Sequence, residues 1–353
     1  MPLLPTSRID APHLDRLSPR AAIPGGSFEV VGTEFLVTTN DGPQLPSAFF
    51  GEIAAALDLA RPTRALVRVP EGAISSDLVL KRSGAASNAL HASIGVPMAE
   101  ELHLVSNPAI DSDGNLFAMV SGPRGERVPV SIFRIARDLQ IRPFAHDLLN
   151  ISALAFDREN NLYASSRAEG TVYRLTPEGE ISTYAEGMGI ATGLAFDSKG
   201  NLFVGDRSGT IFKIAASGSA QSGEIFVFAT LEPSVAAYHL AFREDGVLLV
   251  TAPTTSSNQS IYAIDPDGNT TIFYRGLGRP QGMAFDVDGN LYVAASLEGR
   301  RGIVRLTPGG AAELTVSGND LVGLCFLDDG CAALATNNTL YHADLGILGR
   351  PLV

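Results

Sequence analysis

Arginine recurs in four short turns in the later part of the chain: SGPRGER (Ser121 to Arg127), SSRAEG (Ser165 to Gly170), GDRSG (Gly205 to Gly209) and LEGRR (Leu297 to Arg301). A guanidinium grips carboxylate or phosphate through two parallel N–H donors. If the fold gathers Arg124, Arg127, Arg167, Arg207, Arg300 and Arg301 on one face, that face suits an anionic or polyhydroxylated small molecule. The plainer reading is that Asp206 and Arg207 form salt bridges between neighbouring repeats. His239, next to Tyr238, has the side chain of a general base. It is read instead as a satisfied histidine, because nothing accompanies it: no G-x-S-x-G elbow, no paired catalytic Cys, no phosphate-cradling Gly-rich loop and no H-E-x-x-H. Cys325 and Cys331 flank an Asp328-Asp329-Gly330 turn and read as two buried thiols, with neither a disulfide framework nor a zinc spacing.

A repeat positions these residues. An apolar run, a turn of Asp, Asn and Gly, and a second apolar run recur as NPAIDSDGNLFAMV from Asn107, ALAFDRENNLYASS from Ala153 and GLAFDSKGNLFVGD from Gly193. The unit continues as HLAFREDGVLLVTA from His239, GMAFDVDGNLYVAA from Gly282 and GLCFLDDGCAALAT from Gly323. The aligned positions Asp111, Asp157, Asp197, Arg243, Asp286 and Leu327 are 46, 40, 46, 43 and 41 residues apart, the size of one propeller blade. Each unit opens with two short apolar runs joined by a hairpin signal, and a third and a weaker fourth run follow. The expectation is an all-β chain whose residues 98–353 form a six-bladed β-propeller of four-stranded blades. The closing blade takes its fourth strand either from the tail GILGRPLV or from residues around Glu101 to Val105.

Charge is uneven across the 353 residues and their net −12. Residues 1–97 carry 8 Lys and Arg against 9 Asp and Glu, leaving 18 against 29 for residues 98–353. An acidic surface repels phosphate backbones and anionic lipid, so nucleic acid and membrane are excluded as partners. No segment has the roughly 18 consecutive apolar residues of a membrane span, and the N-terminus lacks the pattern of an export signal. Soluble and cytoplasmic is the default expectation.

The blade consensus, clearest in GNLFVGDRSGTIFKI and GRPQGMAFDVDGNLYVAA, resembles the NHL-repeat and gluconolactonase-like six-bladed propellers over residues 98–353. Residues 1–97 resemble an IPT/TIG immunoglobulin-like β-sandwich. Pro12, Leu14, Leu17, Pro19, Gly25-Gly26, Val30, Gly32 and Phe35 carry that pattern, with Phe50-Gly51, the run from Ala65 to Ala73, and Ser87-Asn88. Gly25-Gly26 can supply a positive-φ turn, and Val67-Arg68-Val69 alternates as a half-buried strand should. The resemblance implies a spacer or docking module. Its near-neutral charge supplies no basic stripe for DNA.

In a propeller the innermost strand of each blade faces the axis. The segment leading into it and the turn after the second strand share one rim, and the Asp/Asn/Gly hairpins occupy the other. Asp111, Asp113, Asp157, Asp197, Asp286 and Asp288 therefore read as turn formers. The slots before the innermost strands are Ser106, Ser152, Thr192, Tyr238, Gln281 and Val322, with His239 one step further in. Ser106, Ser152, Arg167, Thr192, Asp206, Arg207, Tyr238, His239 and Gln281 are thus the candidate ligand-binding residues, for a small molecule or a protein partner at the channel mouth. Resemblance to the gluconolactonase-like group implies an alternative, a lactonase holding Ca2+ or another divalent cation on a Glu, an Asn and an Asp. None of those types fills a slot here, and a hard cation wants several anionic or carbonyl oxygens, so no cofactor is expected on the main reading.

Overall fold

The computed structural model describes residues 11–39, 42–256 and 258–350. The chain forms two compact units, one made of residues up to Val96 together with Thr315–Gly318, the other of Pro97–Leu314 and the residues from Asn319 onward. Among the described residues, regular structure is strand throughout apart from one 3-10 turn at Asp328–Gly330. No helix is long and apolar enough to cross a membrane.

In the first unit, strands His13–Ser18, Ser27–Thr33, Arg64–Arg68 and Leu57–Arg61 form one sheet in that spatial order. Strands Leu90–Ile94, Ser76–Arg82, Ser47–Phe50 and Ile53–Ala55 lie side by side in another. Alternation decides the core: Phe28, Val30 and Val67 from the first sheet join Phe50, Leu78, Leu80 and Ile94 from the second in one apolar cluster. Arg68 faces outward between buried Val67 and Val69 and pairs with Asp58 at 2.7 Å. Gly25 takes the positive φ of 80° that its turn requires. Asn88 acts as a substitute strand, accepting the Leu14 N–H at 2.7 Å and donating to the Leu14 carbonyl at 2.9 Å.

The second unit is a β-propeller of six four-strand groups. Their first strands are Ala109–Ile110, Ile151–Phe156, Ala191–Phe196, His239–Phe242, Met283–Phe285 and Leu321–Phe326. Successive first strands lie side by side, which makes them the inner ring. The hairpin after each is held by its own aspartate. Asp111, Asp157, Asp197 and Asp286 each accept the backbone N–H of the Asn four residues on at 2.8 Å. Each also takes that Asn's side-chain N–H at 2.7 to 2.8 Å. The N–H groups of Asp113 and Asp288 close the same turns at 3.0 Å.

Beneath these hairpins an aromatic on the second strand meets two others edge-on. Phe117 lies 4.9 Å from Phe144 in its own blade and 5.1 Å from Phe156 in the next. Tyr163 repeats this with Tyr184 and Phe196, as does Phe203 with Phe228 and Phe242, so the T-shaped contacts fasten blade to blade. In the sixth blade Ala333 holds the equivalent place and no ring is available.

The ring closes differently from expectation. Val96–Ala99, not the segment Glu101 to Val105 and not the tail, is the fourth strand of the last blade, beside Leu340–Asp344. Glu101 has φ 59°, a left-handed conformation that ends the strand. Beyond it Leu102 and Leu104 donate to the carbonyls of Asn338 and Asn337. The tail turns at Gly346 and runs along the fifth blade, where Arg350 N–H reaches the Phe285 carbonyl at 2.9 Å; residues 351–353 lie outside the described ones. Cys325 and Cys331 are free thiols of intermediate exposure rather than fully buried.

Candidate functional site

All six slots before the innermost strands are buried, each at most 7% exposed. Their polar groups largely bond one another. Ser152 Oγ donates to the Ala191 carbonyl at 3.1 Å and Ser165 Oγ to the Thr192 carbonyl at 2.6 Å. Thr192 Oγ1 donates to the Gly205 carbonyl at 2.8 Å and accepts the Tyr238 N–H at 3.1 Å. These hydroxyls stitch the second, third and fourth blades together. Tyr238 is fully buried, packed in the apolar cluster between the third and fourth blades, and its hydroxyl donates to the Glu232 carbonyl. Burial pushes that phenol up to about 12.

Two residues of the first blade cross the axis. Ser106 Oγ lies 3.3 Å from His239 Nδ1 on the fourth blade. Its neighbour Asn107 donates from Nδ2 to the Met283 carbonyl at 2.7 Å and accepts the Leu324 N–H at 3.1 Å, tying the fifth and sixth blades to the first. The glycines of the repeat make room for it, since a Cβ at Gly282 would sit 2.0 Å from Asn107 Oδ1. Asn107 was absent from the sequence-based candidates; its one signal was its place beside the Ser106 slot. Burial first, then the charge of Arg301, pulls the His239 imidazole down to about 4, so it is neutral at pH 7.

On the rim outside this plug the arginines part into two groups. Arg124, Arg167 and Arg207, from the first, second and third blades, come together: burial lowers the Arg167 pKa, and the charges of Arg207 and Arg124 lower it further. Asn150 sets the spacing. Its side chain accepts the Gly125 N–H at 2.8 Å and donates to the Pro123 carbonyl at 2.8 Å, while its backbone carbonyl accepts the Arg167 N–H at 3.2 Å. Arg207 donates to the Ser234 and Val235 carbonyls at 3.4 and 2.8 Å rather than to a carboxylate, so the interblade link expected as a salt bridge is a guanidinium–carbonyl contact. Asp206, 6% exposed, is fully occupied by the Ile190 and Ser208 N–H groups and the Ser208 hydroxyl. Among the described residues the Arg124 and Arg167 guanidiniums have no hydrogen-bond or ion-pair partner. Arg127 stands apart, bonded to the Asp147 carbonyl and 3.5 Å from Glu169.

The second group belongs to the fifth blade. Arg301 donates to the Leu321 carbonyl at 3.1 Å, the Arg279 carbonyl at 2.8 Å and Gln281 Oε1 at 2.5 Å. Burial, then the neighbouring charge of Arg279, lowers its pKa to about 10, with Asp320 opposing.

The donor set does not suit a hard cation. The ring supplies hydroxyls and amides already bonded within the protein, and among the described residues no group of three or more His, Cys, Asp or Glu converges.

No family model and no curated protein matches the chain. Solved structures do match, and they show the fold. A protein provisionally described as a gluconolactonase aligns at TM-score 0.58 and 18% identity, over 73% of this chain and 94% of that one. An auxiliary nutrient binding protein from Bacteroides thetaiotaomicron aligns at 0.56 and 13% identity over 95% of this chain and 97% of that one. Streptogramin B lyase aligns at 0.51 and 12% identity, over 71% of this chain and 96% of that one. The chain has a propeller fold shared by proteins described as a gluconolactonase, a nutrient binding protein and a lyase.

Proposed function

We propose that this propeller binds a small anionic or polyhydroxylated ligand at the rim formed by Arg124, Arg167 and Arg207, without converting it, and that the first unit is an immunoglobulin-like, IPT/TIG-like spacer or docking module. One observation carries the reading: on a module with 11 more acidic than basic residues, two guanidiniums beside a third have no hydrogen-bond or ion-pair partner among the described residues. A half-buried cation held against like charges is strained until an anion joins it. Arg207, fixed by its carbonyl contacts, preorganises one side of the cradle. The nutrient-binding neighbour fits this reading, as analogy at the level of fold.

Isothermal titration of the whole chain with citrate, gluconate and galacturonate tests it. Saturable binding of at least one, weakened at least tenfold in Arg167→Gln, is the expected result. Absence of binding by all three, or equal binding by the variant, would overturn it. Wild-type hydrolysis of gluconolactone above background would favour the lactonase alternative.

A further inference from the structure

A small polar cavity lies between the fifth and sixth blades, sharing no residue with the arginine cradle above. Its volume is about 180 Å3, and its polar lining is Arg279, Gln281, Ser296, Arg301, Asp320 and Asn337. At about 30 Å3 per water that is room for about six waters, below the roughly 300 Å3 at which drug-sized pockets begin. A solute that fits it is therefore smaller than a drug-sized ligand.

The lining is prepared for both signs of charge. Arg301 is locked by carbonyl and amide oxygens, all neutral, so its positive field persists in the cavity wall. Holding Gln281 by its oxygen leaves the Gln281 amide N–H2 as an oriented donor. Among the described residues, the side chains of Arg279, Ser296, Asp320 and Asn337 have no hydrogen bond or ion pair. Arg279 and Asp320 are also solvent-exposed at the cavity edge. Two guanidiniums, one carboxylate and three neutral polar groups complement a solute with two carboxylates and one ammonium.

We infer that this cavity binds a free acidic α-amino acid. Arg279 takes a carboxylate through its paired N–H donors, while Gln281 and Ser296 supply further donors in the field of Arg301. Asp320 and the Asn337 amide oxygen accept from the ammonium group.

Titration of the whole chain with L-glutamate, L-aspartate and glutarate, which lacks the ammonium, tests the inference. The expected result is saturable binding of glutamate or aspartate, with glutarate at least tenfold weaker. Arg279→Asn and Asp320→Asn should each weaken amino-acid binding at least tenfold, and Arg167→Gln should leave it within twofold of wild type. Positions 279 and 320 have φ 44° and 56°, conformations that asparagine tolerates, so both variants keep the fold. No binding of either amino acid up to about 10 mM, far above a useful affinity, would overturn the inference. So would glutarate binding as tightly as glutamate, which marks a plain anion site, or unchanged binding in both variants. Because Arg167→Gln tests the cradle separately, either site can fail while the other stands.

Discussion

The two rims of the propeller use polar side chains in contrasting ways. At the Asp/Asn/Gly rim, Asp111, Asp157, Asp197 and Asp286 each satisfy their own hairpin, and the rings of Phe117, Tyr163 and Phe203 lock blade to blade beneath them. At the arginine rim, Asp206 also closes its own turn, yet the side chains of Arg124, Arg167 and Arg279 have no hydrogen bond or ion pair among the described residues. The first rim repeats the Asp and Asn pair in four of the six blades, with Arg243 and Leu327 in the aspartate's place in the other two; the second changes from blade to blade. Repetition marks a local bond that serves the blade holding it, and variation marks where stability does not dictate the side chain.

Mutation and pH can break or sharpen this contrast. Phe203→Ala removes a buried ring touching two others and should cost about 4 kcal/mol of stability, read as a shifted urea midpoint. A loss below about 1 kcal/mol would mean that the rings do not fasten the blades. His239 is a buried ionisable group beside Ser106. Its unfolded imidazole takes up a proton below the ordinary 6.5, whereas the native one does so only near 4. Stability should therefore fall as pH drops from about 6.5 to about 4, by on the order of 3 kcal/mol, and His239→Gln should flatten that slope. Asp286→Ala leaves the Asn290 donors and the Tyr292 hydroxyl without their acceptor and should cost about 2 kcal/mol. It should leave anion binding untouched. Arg167→Gln reverses the pattern, changing stability by less than about 0.5 kcal/mol while weakening anion binding at least tenfold. If Asp286→Ala also abolished binding, the division of labour between the rims would collapse.

The hairpin rim was readable because its bonds are local. Asp286 and Asn290 are four residues apart, so the Asp-x-x-Gly-Asn spelling contains both partners. The arginine turns follow the same register, and Arg124 and Arg207 lie near enough to Arg167 for their charges to lower its pKa. The sequence-based alignment treated the six slots as an open mouth, whereas Ser152 and Thr192 are buried interblade links and Tyr238 turns into the core. Arg279 stood two positions before the Gln281 slot in the quoted run GRPQGMAF, but its neighbours Asp320 and Asn337 lie in another blade. The repeat alone could not show that they share a cavity.

The amino-acid sequence by itself determined the number of blades, the hairpin chemistry and the acidity of the second unit, because each follows from short-range pattern or composition. Tertiary structure alone decided the plug and the cavity. Asn107 joins Met283 and Leu324 across 176 and 217 residues, and Val96–Ala99 closes a ring begun by the strand after it. Such contacts depend on how six similar blades are turned around one axis, and a linear register does not encode which side chain will reach across it.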